Sequence, residues 1–162
     1  MLVGEQPGDR EDVAGRPFVR PAGHMFDECL HEAGIDRSLC YVTNAVEHFK
    51  FEPSGKRRIH ATPNAGEVQR CPWWLGGELD VLRPKMVVAL GATALYALMG
   101  RAVGLAKQRG HIIETASGLP LLITIHPSFL LRICDHEGLE GERARCVRNL
   151  SLIGRYIDGS ND

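Results

Sequence analysis

Short apolar runs alternate along the chain with stretches that repeat apolar residues at helical spacing. Continuous apolar or β-branched runs predict buried strands at residues 1–3, 39–46, 85–90 and 119–125. Helical spacing predicts helices at residues 21–33, at 63–82 with Thr62 as N-cap, between the turn at 91–93 and residue 100, and at 138–157. Strands that are apolar on both faces and separated by helices are typical of a parallel sheet covered on both sides. The pattern therefore predicts an α/β fold.

Residues 48–62 interrupt this alternation. They show no periodicity and contain four basic residues, one acid, a proline and a glycine, so we expect a long exposed loop. Within it, Lys56, Arg57 and Arg58 stand beside Ile59 and His60. Three consecutive cations next to a histidine resemble an element that contacts phosphates, although most such runs are solvated charged loops.

The loops that leave the predicted strands are the place to look for a site, because ligands of parallel sheets bind outside the carboxyl ends of the strands. Those loops begin at Gly4, Asn44, Gly91 and His126. An amide such as Asn44 suits the edge of a nucleobase, and a histidine at a strand end is well placed for catalysis. Taken alone, Asn44 is better explained as a simple strand cap. The first loop matches neither a Walker phosphate loop nor a dinucleotide fingerprint.

Composition limits the class of protein. The 162 residues fit one domain, which we assign to residues 1–158 with a polar tail at 159–162. Nineteen Lys and Arg residues against twenty Asp and Glu give a net charge of −1, which excludes a uniformly basic nucleic-acid coat. No apolar stretch reaches the ~20 residues of a membrane helix, and no secretory signal is visible. Five irregularly spaced cysteines do not form a secreted disulfide scaffold, so we expect a cytoplasmic protein.

Four motifs occur here in the order in which they occur in iron–sulfur uracil-DNA glycosylases, and the chain resembles that superfamily on them. They are Gly4-Glu5-Gln6-Pro7-Gly8, Gly15-Arg16-Pro17-Phe18-Val19, Tyr41-Val42-Thr43-Asn44 and His126-Pro127-Ser128-Phe129-Leu130-Leu131-Arg132. The basic segment at 56–60 resembles the insertion specific to the UdgX branch. The resemblance implies a three-layer α/β/α sandwich with a short central parallel sheet. It also implies an enzyme that flips uracil out of DNA and cleaves its N-glycosidic bond.

The resemblance assigns a role to residues in each motif. Phe18 stacks on the uracil, and Asn44 hydrogen-bonds the edge of the base. Glu5 and Gln6 line the reacting centre, while His126 stabilises the charge that develops on the departing base. This agrees with elementary chemistry, because a cationic sugar transition state favours a nearby carboxylate and a departing anion favours a donor.

The resemblance also implies contacts with DNA and a nucleophile. Side chains expected to contact DNA are the wedge residues Leu130 and Leu131 and the phosphate contacts Arg132, Lys56, Arg57 and Arg58. In the UdgX branch, His60 attacks C1′ of the sugar and leaves the protein covalently linked to DNA. The partner is uracil-containing DNA, expected to be single-stranded, and the protein is expected to be a monomer. A conventional glycosylase that uses water and a non-catalytic module that binds damaged DNA remain alternatives.

A 4Fe–4S cluster is the cofactor that the resemblance implies. Two of its four ligands map to His48 and Cys71 in this sequence. The other two belong to a Cys-x-x-Cys pair upstream of the first strand, which is absent because nothing precedes Met1. We therefore expect that the chain is truncated at its N-terminus. A second departure from the family is Arg20, which stands where a glycine is usual.

Overall fold

The computed structural model describes residues 1–159, and its strands and helices alternate along most of the chain. The strands are β1 (Leu2–Gly4), β2 (Val42–Asn44), β3 (Phe51–Ser54), β4 (Arg57–His60), β5 (Val87–Leu90), β6 (Ile112–Glu114) and β7 (Pro120–Thr124). The α-helices are α1 (Asp9–Ala14), α2 (Pro21–Glu32), α3 (Ala65–Val68), α4 (Pro72–Leu82), α5 (Ala92–Met99), α6 (Leu105–Gln108) and α7 (His136–Ile157). Two short 3₁₀ helices lie at Arg37–Leu39 and Pro127–Arg132.

A five-stranded sheet in the order β2-β1-β5-β7-β6 forms the centre of the molecule. Its first four strands are parallel, and β6 pairs antiparallel with β7. The predicted α/β fold is confirmed, but the prediction of a purely parallel sheet missed this edge strand. β6 is only three residues long and none of them is fully buried, so it leaves no continuous apolar run in the sequence.

Helices cover both faces of the sheet, which confirms the predicted three-layer sandwich. Alternate residues of each strand point to opposite faces. On one face, Leu122 belongs to a buried cluster with Leu30 of α2 and Leu150 of α7. On the other face, Ile123 belongs to a second cluster with leucines of α4 and α5. The elements of this sandwich come from residues 2 to 157, nearly the whole of the predicted domain 1–158.

The segment predicted as an exposed loop contains a two-stranded antiparallel hairpin. β3 and β4 pair with Phe51 opposite His60 and Ser54 opposite Arg57, and we call residues 51–60 the basic hairpin. Gly55 turns the chain with a φ of +58°, a conformation that favours glycine. The loop prediction was wrong because the residues of this hairpin are exposed apart from Arg58, so no alternation of buried and exposed positions marks the strands.

The helix predicted over residues 63–82 is two helices, α3 and α4. Asn64, not Thr62, caps α3: its side chain accepts the Glu67 backbone N–H at 3.0 Å, and Glu67 accepts the Asn64 backbone N–H at 2.7 Å. The helix is interrupted before Pro72. Proline lacks a backbone N–H and starts α4 in the first-turn position that it favours.

Within residues 1–159, no helix is long and apolar enough to cross a membrane. The predicted closing helix 138–157 is present as α7, which begins two residues earlier because Asp135 caps it through the Gly138 backbone N–H. Of the predicted polar tail at 159–162, residues 160–162 lie outside the described part of the chain.

Candidate active site

The carboxyl ends of β1, β2, β5 and β7 meet at one edge of the sheet. The residues that follow or end these strands include Glu5, Asn44, Gly91 and His126. The connection that leaves β1 leads to β2 on one side, and the chain that leaves β5 leads to β7 on the other, so a crevice opens between the ends of β1 and β5. The structure thus brings these predicted site residues to one edge of the sheet.

Gly4, Phe18, Asn44 and His126 pack together at this edge, and we call this group of residues the aromatic pocket. A Cβ atom on Gly4 would lie 2.5 Å from Asn44 Oδ1 and 3.1 Å from Phe18 Cζ, so only glycine fits between these side chains. The rings of Phe18 and His126 are 5.6 Å apart between centroids. Phe18 and Asn44 are 8% and 7% exposed, respectively. We predicted that these two residues line one pocket with Glu5, Gln6 and His126, and the structure brings Phe18 and Asn44 together with His126.

Phe18 is held in a conformation that non-glycine residues rarely adopt. Its φ is +58°, and the cost of such strain is usually met by surrounding structure at a functional site. Gly23 in α2 provides that support, because a Cβ there would lie 1.8 Å from the Phe18 carbonyl oxygen. The close approach of α2 therefore fixes the backbone that presents the Phe18 ring.

His126 is a neutral hydrogen-bond donor in this site. Burial lowers the pKa of its ring to about 4; the charge of Glu5 opposes this shift, and Arg132 and His60 add to it. The Ser128 backbone N–H donates to His126 Nδ1 at 3.2 Å, and the Ser128 hydroxyl lies 2.8 Å from the same nitrogen. A backbone amide can only donate, so Nδ1 carries the lone pair and the proton sits on Nε2.

Glu5 connects three elements of the site. Its Oε2 accepts a hydrogen bond of 2.7 Å from the hydroxyl of Thr93 in α5. Its Oε1 lies 3.2 Å from His60 Nε2 on β4. Glu5 is thus placed between the main sheet and the basic hairpin, with its side chain 24% exposed and that of His60 48% exposed.

Gln6 fastens the base of the basic hairpin. Its side-chain amide donates to the carbonyl oxygens of Lys50 and Ala61 at 3.2 and 3.1 Å, and its oxygen accepts the Lys50 backbone N–H at 3.1 Å. Lys50 and Ala61 flank the two strands of the hairpin. The buried Gln6 side chain therefore acts on the hairpin backbone, whereas the resemblance placed it at the reacting centre.

Arg58 provides a second anchor. It forms ion pairs with Asp9 and with Asp12 of α1, the latter at 2.9 Å. Its guanidinium also lies 5.2 Å from the ring centroids of Phe49 and Phe51. The prediction that Arg58 contacts DNA phosphate is at odds with this arrangement, because two carboxylates and two aromatic rings of the protein already contact the guanidinium group.

The other residues predicted to contact DNA differ in exposure. Lys56, Arg57 and Arg132 are exposed. Leu131 is 47% exposed, but Leu130 is 1% exposed and belongs to the buried cluster below the sheet. The prediction of Leu130 as a wedge is therefore corrected: the 3₁₀ helix that carries both leucines turns Leu130 into the core and only Leu131 outward.

The residues mapped to metal ligands do not complete a metal site. His48 is exposed, and Cys71 is half-buried in the N-cap position of α4. Among residues 1–159, no group of three or more histidine, cysteine or acidic side chains could hold a metal ion. A 4Fe–4S cluster takes four ligands, mostly thiolates. The described residues therefore do not fit the cluster by themselves, and no step of the chemistry below depends on it.

The sequence analysis did not identify Thr93, Asp9 and Asp12 as residues of the site. Thr93 follows a strand end and opens α5, a position that faces the neighbouring loops, so the topological rule could have found it. Asp9 and Asp12 give no such signal, because acids in the first turn of a helix are explained by the helix dipole alone.

The fold and the site define a class: an α/β protein with a carboxylate–imidazole contact and a group of aromatic and amide side chains at the carboxyl edge of its sheet. Comparison with known families makes this specific, because the model of the uracil DNA glycosylase superfamily matches residues 1–146. The chain belongs to that superfamily.

Relatives in three organisms carry the same name, type-4 uracil-DNA glycosylase. The chain is 41% identical to that of Thermotoga maritima over 138 residues, which cover 85% of this chain and 68% of the relative. It is 40% identical to that of Pyrobaculum aerophilum over 139 residues, which cover 82% and 67%. The protein of Saccharolobus solfataricus is 33% identical over 176 aligned positions, which cover 100% of this chain and 78% of the relative.

Proposed function

We propose that this protein excises uracil from DNA and becomes covalently linked to the resulting sugar through His60. Its relatives' name supports the excision. The observation that carries the covalent step is the 3.2 Å contact between Glu5 Oε1 and His60 Nε2, both of which lie close enough to His126 to act on its pKa. A carboxylate that orients an imidazole is the arrangement by which proteins activate a histidine as base or nucleophile.

Uracil is held in the aromatic pocket. The flat face of the base stacks on Phe18, and the Asn44 amide pairs with a donor and an acceptor on its edge. Flipping the nucleotide out of the stack is required because the N-glycosidic bond is otherwise inaccessible. Gly4 lets the Asn44 amide and the Phe18 ring approach each other closely, which supports their acting together on one small planar base.

Cleavage of the glycosidic bond moves its electron pair onto the base. The Nε2–H of neutral His126 donates to the uracil oxygen on which negative charge develops, and the base leaves as an anion stabilised by this hydrogen bond. A neutral imidazole keeps its Nε2 proton, so His126 can donate a hydrogen bond both before and during cleavage. The pKa of His126, about 4, supports this role at neutral pH.

His60 then captures the sugar. In the tautomer that donates Nε2–H to Glu5, the second ring nitrogen keeps a lone pair and forms a bond to C1′. The imidazolium that results passes its proton to Glu5, which balances the charge of the step. Glu5 also stabilises the positive charge that develops on the sugar before the bond forms.

The basic hairpin brings this nucleophile to the pocket and grips the DNA. Gln6 and Arg58 hold it against the body of the protein. Lys56 and Arg57 are exposed at its tip and contact phosphates, and Arg132 and Leu131 contact DNA from the segment after β7. We infer a single-stranded substrate and a monomeric protein, because a base in a single strand costs less to flip and one chain carries every residue used.

A denaturing gel tests the proposal. Protein is incubated with a single-stranded oligonucleotide containing one uracil, with a thymine oligonucleotide as substrate control. We expect wild type to give a slow-migrating band that survives heat and detergent. His60→Ser should lose this band while still releasing uracil, since water can enter where the imidazole stood. His136→Ser is the matched control, because that histidine has an 82% exposed side chain in α7.

Each other outcome has a clear meaning. Uracil release by wild type without a stable band indicates a conventional glycosylase that uses water. A stable band in His60→Ser contradicts the assignment of the nucleophile. Binding of uracil DNA with neither release nor a band indicates a non-catalytic module that binds damaged DNA.

A further inference from the structure

We propose that Thr93 is a positioning residue for the carboxylate of Glu5, fixing the orientation in which Glu5 meets His60. The inference rests on the proposed function, because it concerns how that site captures the sugar. Thr93 lies in the first turn of α5 and contacts Glu5 across the crevice between β1 and β5.

The two oxygens of the Glu5 carboxylate have separate partners. Oε2 accepts the Thr93 hydroxyl at 2.7 Å, and Oε1 lies 3.2 Å from His60 Nε2. A carboxylate held at one oxygen cannot rotate without breaking that hydrogen bond. Thr93 therefore decides which oxygen is offered to His60 and in which direction it points.

The hydroxyl of Thr93 is itself held rigidly. A β-branched side chain in a helix has few accessible rotamers. Its helix is anchored by the next two residues, Ala94 and Leu95, which are fully buried. The turn before it is also fixed, since Gly91 has a φ of +94° and a Cβ there would lie 3.1 Å from His126 Cβ. The same turn thus sets the relative positions of Thr93 and His126.

The start of α5 adds a favourable field for the carboxylate. The first turn of a helix carries unpaired backbone N–H groups and the positive end of the helix dipole. Both favour a carboxylate as the partner of a side chain in this turn. Thr93 is therefore well placed to hold the Glu5 carboxylate.

Replacing Thr93 with valine keeps the shape and removes only the hydroxyl. Glu5 Oε2 then has no partner from α5, and the carboxylate rotates away from the direction that suits His60. We expect covalent capture under single-turnover conditions to slow about tenfold, the size of one hydrogen bond to a charged group. Uracil release should slow less, because His126 and the aromatic pocket are untouched. Thr93→Ser, which restores the hydroxyl, should recover most of the rate.

The decisive experiment is a double-mutant cycle with Glu5→Gln. If Thr93 acts through the Glu5 carboxylate, Thr93→Val should change the rate little once Glu5 is already glutamine. Thr115→Val is the matched control, because this threonine lies in the turn between β6 and β7 and bonds only within that turn. Equal effects of Thr93→Val with glutamate and with glutamine at position 5, or no recovery in Thr93→Ser, would overturn the proposal.

A second readout does not depend on activity. The NMR signals of the His60 ring in the free protein should move in Thr93→Val, return in Thr93→Ser and stay in place in Thr115→Val. Unchanged His60 signals in Thr93→Val would contradict the proposal even where the protein proved inactive. If wild type shows no covalent capture but Thr93→Val still moves the His60 signals, only the proposed covalent function is contradicted.

Discussion

The aromatic pocket and the basic hairpin stand side by side but are built in different ways. Gly4, Asn44 and His126 of the pocket lie at strand ends, Phe18 comes from the segment between α1 and α2, and Phe18 and Asn44 are almost fully buried. The hairpin is exposed except for Arg58 and is held by the polar contacts of Gln6 and Arg58. In the proposed function, recognition of the base depends on the buried core, and capture of the sugar depends on a separate element that a few polar contacts hold in place.

The largest effect is expected in the pocket. Asn44→Asp replaces an amide donor with an acceptor that faces an acceptor of uracil, and a buried unpaired group costs about 1–3 kcal/mol. Uracil release should fall about ten- to a hundredfold. Asn64→Asp is the control, because aspartate is as good an N-cap as asparagine for α3. Unchanged excision by Asn44→Asp would refute the role of the amide.

The next effect separates the two regions. Gln6→Ala leaves the Lys50 N–H without its acceptor and frees the base of the hairpin. We expect covalent capture to slow about tenfold, from loss of a buried polar contact. Hydrogen exchange should speed up in residues 51–60 and stay unchanged in β5 and β7. Gln69→Ala, which removes a side chain bonded to Tyr96 outside the hairpin, should leave the exchange of the hairpin unchanged.

A smaller effect is expected at Arg58. Its ion pairs with Asp9 and Asp12 are partly exposed, and such pairs contribute at most about 1 kcal/mol. Arg58→Met should therefore slow capture only a few-fold and make the hairpin exchange faster. Arg57→Met is the informative comparison because Arg57 is exposed. This substitution should weaken DNA binding and reduce its salt dependence without changing hydrogen exchange in the hairpin. Identical behaviour of the two variants would show that Arg58 is not an anchor.

The last effect appears only below neutral pH and concerns the pH dependence of stability. Burial lowers the pKa of His126 to about 4 in the folded protein, against 6.5 for an ordinary histidine. Between these values the unfolded chain binds a proton that the folded protein does not, so the contribution of His126 to stability is lost as the pH falls from 6.5 towards 4. Urea unfolding should show a smaller loss across this window in His126→Asn than in wild type. His136→Asn, at an exposed position, should follow wild type.

The core of the fold was predictable because burial leaves a pattern in the sequence. Strands such as β5 are apolar at every position, which predicts a buried parallel sheet. Ligands of such sheets bind outside the carboxyl ends of the strands, and this rule predicted that Glu5, Asn44 and His126 lie at one edge. The basic hairpin was not predictable in the same way. Its strands are defined by cross-strand pairing and by the distant side chains of Gln6 and Asp9, none of which produces a periodic signal.

The position of single side chains within a motif was also hidden in the sequence. Leu130 and Leu131 are adjacent and chemically identical, yet one is in the core and the other is exposed. Only the direction of the 3₁₀ helix distinguishes them. In the same way, three consecutive cations look equivalent in the sequence, but the pairing of β3 with β4 turns Arg58 towards α1 and leaves its neighbours exposed.

The most direct test of the central claim is to locate the sugar on the protein. Trypsin cleaves after Arg58 and Arg70 and releases residues 59–70, in which His60 is the only histidine. Tandem mass spectrometry of the digested adduct should place the mass of the abasic sugar on the His60 ring. A sugar attached to any other residue, or no adduct where uracil has been released, would contradict the account.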